Sequence, residues 1–214
     1  TAMATVFRES WLAQGCPGEP RPPPPAATAA PGQRVVQLVA GDPRAGLNPT
    51  YVSLLAATRA AVRSVHVTMA YFAPGRELVD ALAAAARRGV AVHLVLPGRS
   101  DVQLVQHAGR SYYAQLLEAG VQIHEMSHTV MHAKTAVIDG VLSTVGSSNL
   151  DWRSIVGNNE IDVIVLGEDF GQAMEALFER DVALSQAIDP ARWQRRAWSQ
   201  RVLEMLGRWI EPWL

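Results

Sequence analysis

Lysine is almost missing from this 214-residue chain: it carries 19 long cationic side chains, and only Lys134 is a lysine. The single Cys16 excludes an intramolecular disulfide and fits a reducing compartment. Excess charge of either sign is missing too, since the formal net charge is -1, and this argues against a strongly basic nucleic-acid binder. No run approaches the roughly 20 apolar residues needed to cross a bilayer, and no basic start with an apolar centre marks a signal peptide. Membrane contact, if made, is therefore expected to be peripheral. What remains is a chain of 49% hydrophobic residues, enough for one substantial core.

The chain opens at Thr1, and residues 3–13 (MATVFRESWLA) read as the end of an amphipathic helix. GCPGEPRPPPPAATAAPG follows, whose prolines impose extended backbone. This pattern predicts a tail helix of a preceding domain at 1–14 and a Pro-rich linker at 15–33. From residue 34 the pattern alternates. Strands are expected at 34–40, 64–70, 90–97 and 121–126, and helices from Asn48-Pro49 to about Arg63, at 75–89 and at 101–120. Asn48 followed by Pro49 is the favoured order of helix cap and first turn. Repeated strand–helix units predict an α/β fold with a mixed, largely parallel sheet flanked by helices on both faces, over residues 34–188.

After residue 126 the alternation gives way to two adjacent strand-like runs, VMHAKTAVI and VLSTVGSS, joined through Asp139-Gly140. Asp-Gly is a strong hairpin signal. The two-residue period of a strand puts His132 and Lys134 on one face. A buried histidine or a lysine reaching solvent past its stem would explain either residue alone. The pair, in a chain that uses arginine everywhere else, points to a site shaped for a compact ammonium and not for a planar fork.

From His132 the chain reads His-x-Lys, four residues, Asp139, six residues, then Gly146-Ser147-x-Asn149. This resembles the HKD motif of the phospholipase D superfamily. AYFAPG (70–75), the segment 84–101, LLEAGVQIHE (116–125), VGSSNLDWRS (145–154) and NNEIDVIVL (158–166) further resemble the C-terminal half of bacterial cardiolipin synthases. Met69-Ala70 departs from the Thr-Pro that many members carry before Tyr-Phe. The resemblance implies a phospholipase D-like domain and a phosphatidyl transferase working through a phosphohistidine. A phospholipase D-like hydrolase and a dimeric single-motif endonuclease are the alternatives. The neutral charge balance disfavours the endonuclease, and no nucleic-acid partner is expected.

Phosphodiester cleavage without a metal needs a nucleophile, an acid for the leaving alkoxide, and positive charge on the phosphoryl oxygens. His132 fits the nucleophile, because neutral imidazole is nucleophilic near neutral pH. Lys134 supplies charge, and Ser147 and Asn149 supply donors to the phosphate. The family places an acid where Glu160 stands, which the resemblance casts as the partner of the His132 ring. Turn chemistry alone accounts for Asp139, and Gly146 reads as backbone room beside the phosphate. No cofactor or metal is expected: His124, His128 and His132 recur every four residues, but on strand and loop, where that spacing does not converge. His66 and His93 read as core or edge histidines, and Tyr71 and Phe72 as a substrate wall or core.

The superfamily works with two HKD motifs, and this chain has one. The expected partners are a missing N-terminal half or a second copy, a phospholipid substrate, and the cytoplasmic face of a bacterial inner membrane. The tail at 189–214 holds four of the six tryptophans and five arginines, and Val202, Met205, Leu206, Trp209 and Ile210 fall on one helical face. Such a stripe packs on protein or lies on a membrane.

Overall fold

A computed structural model describes residues 2–21 and 34–210. Helix α1 (Ala2–Ala13) buries none of its residues, and most of the expected linker, residues 22–33, lies outside the described residues. The domain proper begins with β1 (Val35–Gly41) and α2 (Pro49–Ala60), whose first turn is closed by the Asn48 side chain accepting from the Thr50 amide. Next come β2 (Ser64–Met69), α3 (Gly75–Arg87) and β3 (Ala91–Pro97). The helix expected at 101–120 is two: α4 (Gln103–Arg110) and α5 (Tyr113–Glu118). The chain continues through β4 (Gln122–Met126), β5 (Lys134–Ile138), β6 (Leu142–Gly146), a π-helical turn (Arg153–Gly157), β7 (Glu160–Leu166) and α6 (Glu168–Ala183). It ends with β8 (Gln186–Ala187), α7 (Pro190–Gln194) and α8 (Trp198–Ile210).

The eight strands form one sheet in the order β1-β7-β6-β5-β2-β3-β4-β8. The mixed α/β class is as expected, but the sheet is not largely parallel. Only β2–β3 and β3–β4 pair in parallel, and the other five pairs are antiparallel. The sequence rule predicts direction correctly and adjacency incorrectly. β1 and β2 do run the same way, but the antiparallel β5–β6–β7 meander, joined by a tight turn between β5 and β6 and by residues 147–159 between β6 and β7, is inserted between them.

Helices cover both faces. Val65, Val67 and Met69 of β2 point into the main core with Leu54 and Leu55 of α2, Leu78 and Leu82 of α3 and Leu116 of α5. The alternate residues of the same strand face α6, where His66 stacks on Phe178 at 4.7 Å. Between β5 and β6, Asp139 (φ 54°) and Gly140 (φ 65°) both take the left-handed backbone that a tight hairpin demands.

Candidate active site

Strand direction decides where chemistry can gather. β1, β2, β3, β4 and β6 run one way and β5 and β7 the other, so the carboxyl ends of the first set share an edge with the starts of β5 and β7. At that edge lie Tyr71 after β2, Asp101 after β3, His132 and Lys134 entering β5, Ser147 to Asn149 leaving β6, and Glu160 opening β7. Backbone bonds stitch the lining together. The amide of Ala70 donates to Ala133, that of Leu150 to Tyr71, and that of Ala73 to Leu150.

Lys134 is 9% exposed, while His132 stands in the open. The lysine Nζ lies 3.2 Å from His132 Nδ1 and donates to the His132 carbonyl at 3.0 Å. On its other side the imidazole meets the Tyr71 ring edge-on, centroids 5.9 Å apart. Tyr71 donates to Asp101 at 2.8 Å, and burial together with this bond pushes its hydroxyl up to about 12, so it stays protonated. Burial lowers the Lys134 pKa, while Glu160, Asp151 and Asp101 pull it back up. Asp151, 4% exposed, is itself raised, mainly by burial.

Glu160 sits differently from the expectation. One oxygen accepts from Ser147, and the other from Ser154 at 2.7 Å and Asn158 at 3.2 Å. No hydrogen bond joins it to the His132 ring among the described residues. A buried carboxylate is satisfied by the nearest donors, and here these come from the end of β6 and the π-helical turn. Ser147, expected to face a phosphate, spends its proton on Glu160 and accepts from the Ile161 amide at 2.9 Å. Asn149 keeps a buried, unpartnered Oδ1 and lines a small cavity together with Lys134 and Met69.

The space at Gly146 also goes elsewhere. A Cβ there would lie 2.6 Å from the Cα of Asp162, so the glycine makes room for that residue and not for a phosphate. Asp162 accepts from Thr50 Oγ1 at 2.8 Å and from the Ser148 amide at 3.1 Å. Asn48 ties the same network to Ser148 Oγ and the Ser154 carbonyl, both at 3.0 Å. Asp139 lies at the far end of the hairpin, where its carboxylate accepts from the amides of Val62, Arg63 and Ser64. Sequence reasoning missed Asp101, Asp151, Ser154, Asn158 and Asp162. Asn48 was read only as a cap.

His132, Lys134, Ser147, Asn149 and Glu160 lie within a match over residues 54–182 to the family model for the cardiolipin synthase, PLD-like domain. The chain belongs to that family. It is 34% identical over 195 residues to cardiolipin synthase A of Serratia proteamaculans, covering 89% of this chain and 40% of that protein. It is 35% identical over 177 residues to cardiolipin synthase A of Buchnera aphidicola, covering 83% and 36%. It thus spans about two fifths of the length of these relatives. Among solved structures it resembles Nuc, a phospholipase D family member from Salmonella typhimurium (TM-score 0.61, 20% identity, 73% of this chain, 99% of that one). It also resembles phosphatidylserine synthase from Haemophilus influenzae (TM-score 0.66, 12% identity, 98% of this chain, 53% of that one). At these identities the structural likenesses establish the fold.

Proposed function

We propose that this chain is one catalytic half of a phosphatidyl transferase of cardiolipin synthesis. It moves a phosphatidyl group from a phospholipid such as phosphatidylglycerol to a glycerol-type hydroxyl. The observation that carries this reading is an exposed imidazole with the chain's single lysine 3.2 Å from its ring, set at the rim of the sheet. His132 attacks phosphorus and the phosphate–glycerol bond breaks. The acceptor hydroxyl then attacks the phosphohistidine and releases the imidazole. Lys134, held by its burial, places a compact charge on a nonbridging oxygen, and the Asn149 side chain adds a polar contact. Glu160, Asp151 and Asp101 support the ammonium electrostatically, and Ser147, Ser154 and Asn158 hold Glu160 in place.

The motif count supports a two-motif enzyme. His132 cannot both attack phosphorus and hold the proton that the leaving alkoxide needs, and the sequence carries one HKD motif. A second HKD motif, from the rest of a longer polypeptide or from another copy, supplies that acid. Peripheral attachment to the cytoplasmic face of the inner membrane completes the proposal; among the described residues no helix is long and apolar enough to cross a bilayer. The test incubates the full-length parent with phosphatidylglycerol vesicles and, separately, with DNA. Cardiolipin and free glycerol are the expected products. Phosphatidic acid alone would make it a hydrolase, and cleavage of DNA alone would overturn the reading.

A further inference from the structure

Helix α8 wears its amphipathicity inside out. Over Trp198–Ile210 the side that meets the protein carries Glu204, 4% exposed, and Gly207, whose added Cβ would lie 2.6 Å from the Ala108 amide of α4. A bidentate ion pair from Arg196 to Glu204, with one contact at 2.6 Å, fastens that side. At 100° per residue the opposite side gathers Trp198, Val202, Met205, Leu206 and Trp209. Trp198 is 78% exposed, Met205 62% and Trp209 79%. A helix held through its one acid and its one glycine, with its apolar stripe turned to water, has an unpartnered face among the described residues.

We infer that this face docks on an anionic phospholipid surface. Charge selects that occupant over a protein partner. The helix's one acid is turned inward and neutralised, so its exposed charges are Arg201 and Arg208, which lie along one flank of the stripe. Arginine beside tryptophan and aliphatic residues is the composition of a helix lying in a membrane interface. Position agrees with chemistry: α8 packs along α4, which begins two residues after Asp101, the partner of Tyr71 at the rim that holds His132. Exposed Leu104 of α4 adds to the apolar surface. Docking on this face therefore brings the lipid surface close to the imidazole. The choice of lipid rests on the phosphatidyl-transfer reading; the docking itself does not.

The test is co-sedimentation of the 214-residue chain with sucrose-loaded vesicles of phosphatidylcholine alone or mixed with phosphatidylglycerol, which reads binding without turnover. Binding to the mixed vesicles is expected to exceed binding to neutral ones by at least tenfold. It should fall roughly fivefold for each of Arg201→Gln and Arg208→Gln, and at least tenfold for Trp209→Ser combined with Met205→Ser. Thermal unfolding of each variant confirms the fold. Because Trp209 and Met205 are exposed, a drop in stability large enough to unfold the chain is not expected; the two arginine variants provide a second readout through charge, taken against their thermal unfolding because Arg201 also donates to the Gln194 carbonyl and Arg208 packs on the Tyr112 ring. Equal binding to both vesicles, or serine variants that bind as the parent does, would overturn the inference. So would a stripe that, when polar, abolishes self-association of the chain and leaves vesicle binding intact. Vesicle binding without transfer by the full-length parent would sink the proposed function and leave the docking face standing.

Discussion

Three histidines within the sheet and a fourth at its edge have opposite surroundings. His66, His93 and His124 lie side by side on β2, β3 and β4 beneath α6, with ring centroids 5.5 and 6.1 Å apart. Burial lowers all three, His66 to about 4, and the Nδ1 of His66 and the Nε2 of His124 have no hydrogen-bond partner. His66 stacks on Phe178, and His93 and His124 extend the row beside it. His132 stands exposed at the strand edge with a lysine, a tyrosine and nearby carboxylates around it. Residue type therefore says little about chemistry in this chain. Placement at the rim, where strand ends bring charged groups together, is what the proposed function uses to set His132 apart from the three histidines within the sheet.

The contrast breaks first at the rim. In the assembled two-motif enzyme, His132→Gln is expected to lower kcat by about 10⁴-fold or more, and Lys134→Arg by about 10²–10³-fold with the fold intact, because the site needs shape as well as sign. His66→Phe, which keeps the ring stack, should leave kcat within about twofold. An arginine variant with near-parental turnover would return Lys134 to chance composition, and a His66→Phe variant as damaged as His132→Gln would erase the distinction between the two groups.

The buried group should show itself in stability. An unfolded histidine binds protons below about pH 6.5, whereas folded His66 does so only near pH 4. Its contribution is therefore complete above pH 6.5 and is lost as the pH falls from there towards 4. His93 and Glu175 face it, and the Glu175 carboxylate at 4.0 Å moderates the loss. After allowance for partial solvent access, the loss is about 2 kcal/mol between pH 7 and 4.5. Urea midpoints at the two pH values check this, and His66→Phe should lose less. An equal loss in both proteins would assign the acid sensitivity to other groups.

The hairpin itself gives the smallest effect. Asp139 shares the motif with His132 and Lys134 but satisfies three backbone amides at the opposite end of β5. Asp139→Ala should cost about 1–3 kcal/mol in unfolding free energy and, once folded, leave kcat within a few fold. A kcat loss as large as that of Lys134→Arg, with stability unchanged, would move Asp139 from structure into chemistry.

The rim was legible in the sequence where local rules act. Asp139-Gly140 announced the hairpin, the period of two put His132 and Lys134 on one face, and Asn48-Pro49 marked the start of α2. What escaped was set by contacts between residues far apart in the chain. Nothing local to Gly146 reveals that Asp162 fills its space, since that follows from the β6–β7 register. Nothing local to Glu160 reveals that Ser147 and Ser154 reach it before His132 does. The insertion of β5–β7 between β1 and β2 was equally invisible to an alternation rule that reads direction and not adjacency. The tail showed its apolar stripe correctly, but not that Gly207 and the Arg196–Glu204 pair hold the helix by the other side.

The central claim is that this edge, which carries one HKD motif, is half of a catalytic centre. The most direct measurement is turnover of phosphatidylglycerol vesicles by the chain at concentrations where light scattering confirms a monomer, repeated with a second HKD half added or with rising dimer fraction. The account predicts that the monomer is close to inactive and that activity returns only when a second motif is present, because general acid catalysis alone is worth about 10²–10⁴-fold. Full turnover by the confirmed monomer would contradict it.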